Sequence, residues 1–414
     1  MIIINDFLGV YGGSITLIER LCIYLKQLNE EVIVYTNSVA NTEIVDKLKK
    51  LNVTIRCFDT CNIALLKAKI VLDSKNSQLL MLNFVLTNYL NVELVKSKIN
   101  INVSNILYCI HPKTFYRGTG VPIHALRELV KKFYSKLTKK IINKGQVIFM
   151  DHECISATEK FYKCDLGKKL LIQALPMICN ELDNYTVNAK IHNSYQNKNI
   201  ITACRADFPF KGYVFGLIDN YVELCEKYKN VTLTIVCSGP KCNVDKVKDK
   251  ILHLDKEIQK SIKFYDWMNY QALKDLLSKS YLFVGMGTGV LDSALLYIPS
   301  IAVKYDSYEC ISDCAFYENP SCLTSRVDCN INAIEVMDRI LSLEENQYKA
   351  ISKLSFEKAK EFYDIKSFVN QVINMNNTQV NLTIVERLIY SFNLFINKFR
   401  KNSKYSCEEI EREE

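Results

Sequence analysis

Apolar positions along the chain follow two alternating rhythms. MIIIN is a short apolar run, GVYGG breaks it, SITLIERLCIYLKQLN carries apolar residues at helical spacing, and EVIVYT is β-branched. This is the order strand, loop, helix, strand. It continues through VTIRCF, QLLMLNFVL, NILYCIH and QVIFMD as strands, separated by helix-like stretches of which ALRELVKKFYSKLTKKII is the clearest. Strands that alternate with helices predict a parallel sheet covered on both faces.

Between Ile178 and Lys198 the chain turns polar and Asn-rich and loses its periodicity, which predicts a linker over 181–198. The alternation then restarts with NIITACR, a helix from about Tyr213, VTLTIVCSG, a helix through VDKVKDKILHL, IKFYDW, YLFVGMG, a helix from Thr288, and PSIAVKY. The expected division is therefore a Rossmann-like domain over 1–180, a second over 199–378, and a tail over 379–414. In that tail Val385, Leu388, Phe392, Phe395 and Phe399 recur at spacings of three and four, near Lys398, Arg400 and Lys401, before the acidic end EEIEREE. Such a helix either docks on the N-terminal half or lies in a membrane interface.

Composition narrows the class. A chain of 414 residues supports two cores, and 49% hydrophobic with 24% charged residues excludes a disordered or fibrous protein. No run of about twenty apolar residues appears, and the N-terminus lacks the basic flank of a signal peptide, so residence in the cytoplasm is expected, with peripheral contact at the inner face of the plasma membrane only under the second reading of the tail. The 16 cysteines are scattered through apolar runs and read mostly as small buried hydrophobes. Cys310, Cys314, Cys322 and Cys329 cluster without the Cys-x-x-Cys spacing of common zinc sites, and no metal is expected. The net charge of +8 is spread out and suits anionic phosphates or lipid headgroups better than a nucleic-acid groove.

In open parallel sheets ligands bind beyond the carboxyl ends of the strands, so the loops there are the first candidates. After YLFVGMG the chain reads Gly285-Met286-Gly287-Thr288-Gly289-Val290-Leu291-Asp292: glycines at a helix start, which favour a diphosphate, and an acid expected in the first turn, within reach of ribose hydroxyls. Tight helix–strand packing would also explain those glycines. After NIITACR comes Arg205, Asp207, Lys211 and Gly212, two cations suited to a phosphate leaving group, or a surface ion pair with Asp207. His111 ends ILYCIH, and Asp151-His152-Glu153 follows QVIFM; the two carboxylates either bind or deprotonate an acceptor hydroxyl or serve as a helix N-cap and first-turn charge. Neither the dinucleotide fingerprint after the first strand nor a Walker-type GKS or GKT is present, which disfavours a dehydrogenase or a P-loop nucleotidase.

These residues resemble glycosyltransferases of the GT-B fold, in particular the retaining family 4 enzymes. The Arg and Lys-Gly that open the family's second half are matched by Arg205 and Lys211-Gly212. Its acid-led helix is matched by LDSALLYIPS, with Asp292 in place of Glu and Pro299 retained. Its Gly-Gly loop is matched by Gly12-Gly13, and a His at a later strand end by His111. The resemblance runs through nearly the whole chain. It implies two Rossmann-like domains facing each other across a cleft, with the acceptor bound by the first and the nucleotide sugar by the second. It also implies metal-independent transfer of a sugar, a hexose, from a nucleoside diphosphate donor, a UDP-sugar above all, to a saccharide or lipid-linked saccharide, with retention, in bacterial surface-polysaccharide synthesis. Arg205, Lys211, Gly287, Thr288, Gly289 and Asp292 would bind the donor, Gly12 and Gly13 an acceptor or phosphate, and His111, Asp151 and Glu153 would act near the reacting sugar. No separate cofactor is implied.

Two departures stand out. The family's second Glu, eight positions before Asp292, is Val284 here, and the Gly expected before Pro299 is Tyr297. Val284 motivates the alternative of a catalytically silent binding or scaffold subunit of the same fold. A sugar-nucleotide epimerase is disfavoured by the scarcity of acids in the cleft loops.

Overall fold

The apolar runs pair into two all-parallel sheets. In the computed structural model β1 (Ile2–Asn5), β2 (Val32–Thr36), β3 (Thr54–Cys57), β4 (Leu79–Asn83), β5 (Val103–Cys109), β6 (Val147–Phe149) and β7 (Leu171–Ile172) lie in the order β3-β2-β1-β4-β5-β6-β7. The second sheet holds β8 (Asn199–Arg205), β9 (Thr232–Ser238), β10 (Ile262–Tyr265), β11 (Leu282–Gly285) and β12 (Ser300–Ala302), ordered β10-β9-β8-β11-β12. Residues 2–5, 13–36, 42–57, 70, 79–96, 103–111, 114–115, 124–167, 170–173, 175–326, 328–375, 382–384, 386–388 and 390–391 are described.

Strands β2, β5 and β11 are buried at every position, the outcome expected when helices cover both faces of a parallel sheet. In the first sheet Ile33, Tyr35, Met81 and Val103 meet Val92 and Val95 of the helix Leu86–Lys96, which is itself buried almost all round. In the second, Ile200, Leu233, Ile235, Leu282 and Ile301 pack against Val214, Leu217, Ile218 and Tyr221 of the helix Tyr213–Lys227.

The chain divides into two compact units, 1–176 with 365–414, and 177–364. This differs from the sequence-based division at two places. The segment 181–198, expected as a linker, is mostly the helix Asn184–Asn197 of the second unit. Asp183 caps it by accepting from Thr186 N–H at 2.9 Å, and Val187, Ile191 and Ser194 supply a buried stripe at helical spacing. An Asn-rich helix needs only that stripe to dock. At the other end, Ile365–Asn374 belongs to the first unit rather than to a domain running to 378: Phe368 lies 4.8 Å from the Tyr108 ring of β5. The chain enters and leaves the second unit side by side, with Met177 N–H donating to Tyr363 O at 2.7 Å.

Candidate functional site

Both sheets reverse their strand order at one point, between β1 and β4 in the first and between β8 and β11 in the second. Loops diverge to opposite faces there and leave a crevice at the carboxyl edge. In the second unit β8 pairs with β11 through Ile200 with Leu282 and Ile201 with Phe283, so the loops that follow Arg205 and Gly285 are neighbours at that crevice. The structure thus brings together the two loops singled out from the sequence.

Arg205 is exposed at the end of β8, 3.5 Å from the Asp207 carboxylate. An exposed pair at that length contributes at most about 1 kcal/mol. A diphosphate, which the guanidinium can grip with two parallel hydrogen bonds, would displace it. Lys211 is half-buried, and no ion pair holds it among the described residues. Burial pushes its ammonium below the ordinary lysine range, and the neighbouring Arg205 adds to that shift. An arriving anion relieves both costs. Gly212 follows because the loop after β12 comes very close: a Cβ there would stand 2.7 Å from Ser307 O.

The glycines beyond β11 divide into two roles. A Cβ on Gly285 or Gly289 would collide with the Phe283 ring, at 2.7 and 2.6 Å, so these two serve packing, the alternative left open by the sequence. Gly287 is different. Its φ of 68° favours glycine, and a Cβ there would meet nothing within 4 Å, so the backbone lies open for close approach. The helix Thr288–Ala294 starts there with the Thr288 and Gly289 N–H groups in its first turn. At seven residues it adds little dipole, and the positive charge of the site comes chiefly from Arg205 and Lys211.

Asp292 is not in the first turn of this helix, as expected, but is its fifth residue. Its carboxylate accepts a hydrogen bond from Tyr270 Oη at 2.8 Å. Tyr270 opens the helix after β10, and sequence reasoning missed it, since a partner 22 residues away leaves no local signal. Trp267, the single tryptophan of the chain, stands just beyond β10 at the same carboxyl edge and is 71% exposed. Val284 is fully buried within β11 and presents nothing to a ligand. Tyr297 adopts φ 65° after the helix and stacks on Phe356 with ring centroids 4.3 Å apart. It occupies the left-handed position that commonly takes glycine at a helix C-terminus.

In the first unit the paired strands β5 and β6 bring His111 and Asp151 to neighbouring loops. His111 is half-buried two residues beyond β5. Asp151 caps the helix His152–Tyr162, its Oδ1 accepting from Cys154 N–H at 2.8 Å, with Glu153 in the first turn. The capping role weighed from the sequence is the one observed for Asp151, and burial raises its carboxyl above the usual range. Gly13 opens the helix Gly13–Gln27; Gly12 lies outside the described residues. Among the described residues no three His, Cys, Asp or Glu side chains gather as a metal site, and Cys310, Cys314, Cys322 and Cys329 are all free thiols.

No family model and no curated protein matches the sequence. Solved structures do. HepE of Anabaena, in complex with UDP and glucose, is similar at 14% identity over 90% of this chain and 98% of that one, with a TM-score of 0.58. A glycosyltransferase from Rickettsia africae is similar at 14% identity over 91% and 99%, with a TM-score of 0.62. A mutant of S. aureus TarM, solved with Fondaparinux, alpha-GlcNAc-glycerol and UDP, is similar at 12% identity over 91% and 99%, with a TM-score of 0.56. At these identities the likeness is one of fold, and it spans almost the full length of each neighbour. The chain has the GT-B fold of these glycosyltransferases.

Proposed function

We propose that the protein is a glycosyltransferase that moves a sugar from a nucleoside diphosphate donor, a UDP-sugar in particular, to a hydroxyl of a saccharide or lipid-linked saccharide. One observation carries this reading: Arg205 and Lys211 follow β8 and the open backbone at Gly287 follows β11, the two paired strands between which the order of the second sheet reverses. The UDP present with HepE and with TarM supports the choice of base. In the reaction the bond between the anomeric carbon and the β-phosphate oxygen breaks, a bond from that carbon to the acceptor oxygen forms, and the acceptor proton passes to the departing diphosphate. Charge builds on the departing diphosphate, where Arg205 and Lys211 stabilise it without a metal ion. Tyr270 holds Asp292 in place for the ribose hydroxyls. Retention and a role in bacterial surface-polysaccharide synthesis rest on the resemblance to family 4. A cytoplasmic site of action is part of the same reading.

Trp267 supplies a built-in reporter. Titration with UDP, GDP and their sugars is expected to change its fluorescence for one base, and Arg205→Ala to weaken that binding about 10- to 100-fold, the loss of a hydrogen bond to a charged group. If no nucleotide binds, the donor-site assignment fails. Burial of Val284 where the family carries Glu favours one second reading, a silent subunit of the same fold. That reading predicts UDP binding with no release of UDP from any UDP-sugar, whatever the acceptor.

A further inference from the structure

The end of the described chain carries two faces, and only one of them is used by the fold. A helix begins after Thr383, whose N–H donates to Glu386 Oε2 at 2.7 Å while Glu386 N–H donates back to Thr383 Oγ1 at 3.2 Å, a reciprocal cap. Leu382, Glu386 and Tyr390, four residues apart, face the first unit. Leu382 and Tyr390 are buried, Glu386 pairs with Lys140 at 2.8 Å, and Tyr390 Oη donates to Thr87 O and Asn91 Oδ1 at 2.9 and 2.8 Å. The opposite face is apolar and uncovered: Ile384 is 74% exposed and Leu388 64%. Leu388, the residue of the sequence-read stripe that lies among the described residues, is thus on the exposed face. Phe392, Phe395 and Phe399 continue the Ile384–Leu388 spacing in sequence, with Lys398, Arg400 and Lys401 among them.

The helix to which the tail is paired carries a row of cations. The Lys140–Glu386 pair sets the tail alongside the helix His124–Asn143, whose solvent side carries Lys132, Lys136 and Lys139 at spacings of four and three. None of these three lysines has an ion pair among the described residues. We infer that the Ile384–Leu388 ridge and the Lys132–Lys136–Lys139 row together form a docking surface for an anionic lipid bilayer. An amphipathic helix settles its apolar side at the acyl boundary, and lasting attachment takes a second, polybasic signal, which the lysine row supplies. A protein partner fits less well, because the cores of protein interfaces are depleted in lysine. The inference stands independently of the donor site.

The test is co-sedimentation of the full chain with vesicles of phosphatidylcholine, with and without phosphatidylglycerol. Binding is expected only with phosphatidylglycerol and should weaken as salt is raised. Each of Lys132→Glu and Lys136→Glu should lower the partition coefficient by at least about fivefold. Ile384→Glu with Leu388→Glu should lower it by tenfold or more while leaving UDP binding unchanged, on the order expected for removing two buried apolar side chains. Equal binding to both vesicle types, or variants that bind as the parent does, would overturn the inference. So would a dimer in equilibrium sedimentation that Ile384→Glu dissolves, which assigns the ridge to a second copy of the chain. The lysine variants change exposed groups only and decide the matter if the tail variants fail to fold.

Discussion

The two units share a strand order at their centres but treat charge in opposite ways. Among the described residues, the buried charged side chains are Arg20, Glu93, Lys96 and Asp151, and all four belong to the first unit. The second unit buries hydroxyls and amides, such as Thr202, Thr234, Ser293 and Asn199, and keeps Arg205 at its edge and Lys211 half-buried there. A buried charge is committed to its protein partner. A charge at the rim of a crevice, weakly paired or unpaired, can be spent on a ligand. The four buried charges of the first unit therefore act in folding, whereas Arg205 and Lys211 of the second are available to an anion.

The sharpest way to break this contrast is at Glu93. It lies 3.1 Å from Lys96 and accepts from Asn105 Nδ2 at 2.9 Å, all within the buried helix Leu86–Lys96 and the strand beside it. Glu93→Ala strands the Lys96 ammonium away from water, and a loss of about 3–5 kcal/mol is expected in urea denaturation of the first unit. Glu93→Ala with Lys96→Met should recover most of it, because two apolar groups need no partner. If Glu93→Ala is neutral, the pair is not a structural commitment and the contrast collapses.

In the second unit the corresponding probe is Lys211. Its ammonium titrates below the ordinary lysine range because it is partly buried. A diphosphate binds the charged form, so UDP affinity should hold at neutral pH and fall as pH rises through that lowered pKa, earlier than for an exposed lysine. Lys211→Arg should flatten the profile, since a guanidinium stays charged. Lys211→Ala should weaken UDP about 10- to 100-fold at neutral pH and remove the dependence. Isothermal titration across the alkaline range reads all three.

How much of this was legible in sequence follows from which forces are local. Strands buried on both faces show as continuous apolar runs, so NIITACR and VTLTIVCSG were readable, and so were the loops beyond them that carry Arg205 and Gly287. The helix Asn184–Asn197 was not, because three inward positions sufficed against a polar background. The return of the chain to the first unit at Ile365 was not either: the helix there carries the same apolar spacing whichever core it joins, and only contact with Tyr108 decides. Tyr270 escaped for the same reason, since its bond to Asp292 is tertiary. Burial of Glu93 and Lys96 inside a helix runs against the rule that charges face water, and nothing in the spacing warns of it.

Asp151 tests whether the first unit's charges do more than fold it. Its carboxylate caps a helix, and an Asn side chain can do the same, so Asp151→Asn should leave stability nearly unchanged while Asp151→Ala costs about 1 kcal/mol. Transfer assays on the Asn variant then separate the roles. Activity that survives assigns Asp151 to the cap alone. Activity lost in a protein that melts like the parent adds a carboxylate to the chemistry and narrows the contrast between the units.

The smallest expected effect is the difference between two variants at Tyr297. A left-handed backbone costs a residue with a Cβ about 1–2 kcal/mol, and stacking on Phe356 returns on the order of 0.5–1.5 kcal/mol. Tyr297→Gly and Tyr297→Ala both give up a buried core ring, a loss of about 3–5 kcal/mol, but only the Gly variant also relieves the backbone. Tyr297→Ala should therefore be less stable than Tyr297→Gly by about 1 kcal/mol in urea denaturation. Equal stability of the Gly and Ala variants would mean that the turn before Pro299 does not need its positive φ. The second unit would then hold Tyr297 for its ring alone, where the backbone argument has it fitting an aromatic anchor into a position shaped for glycine.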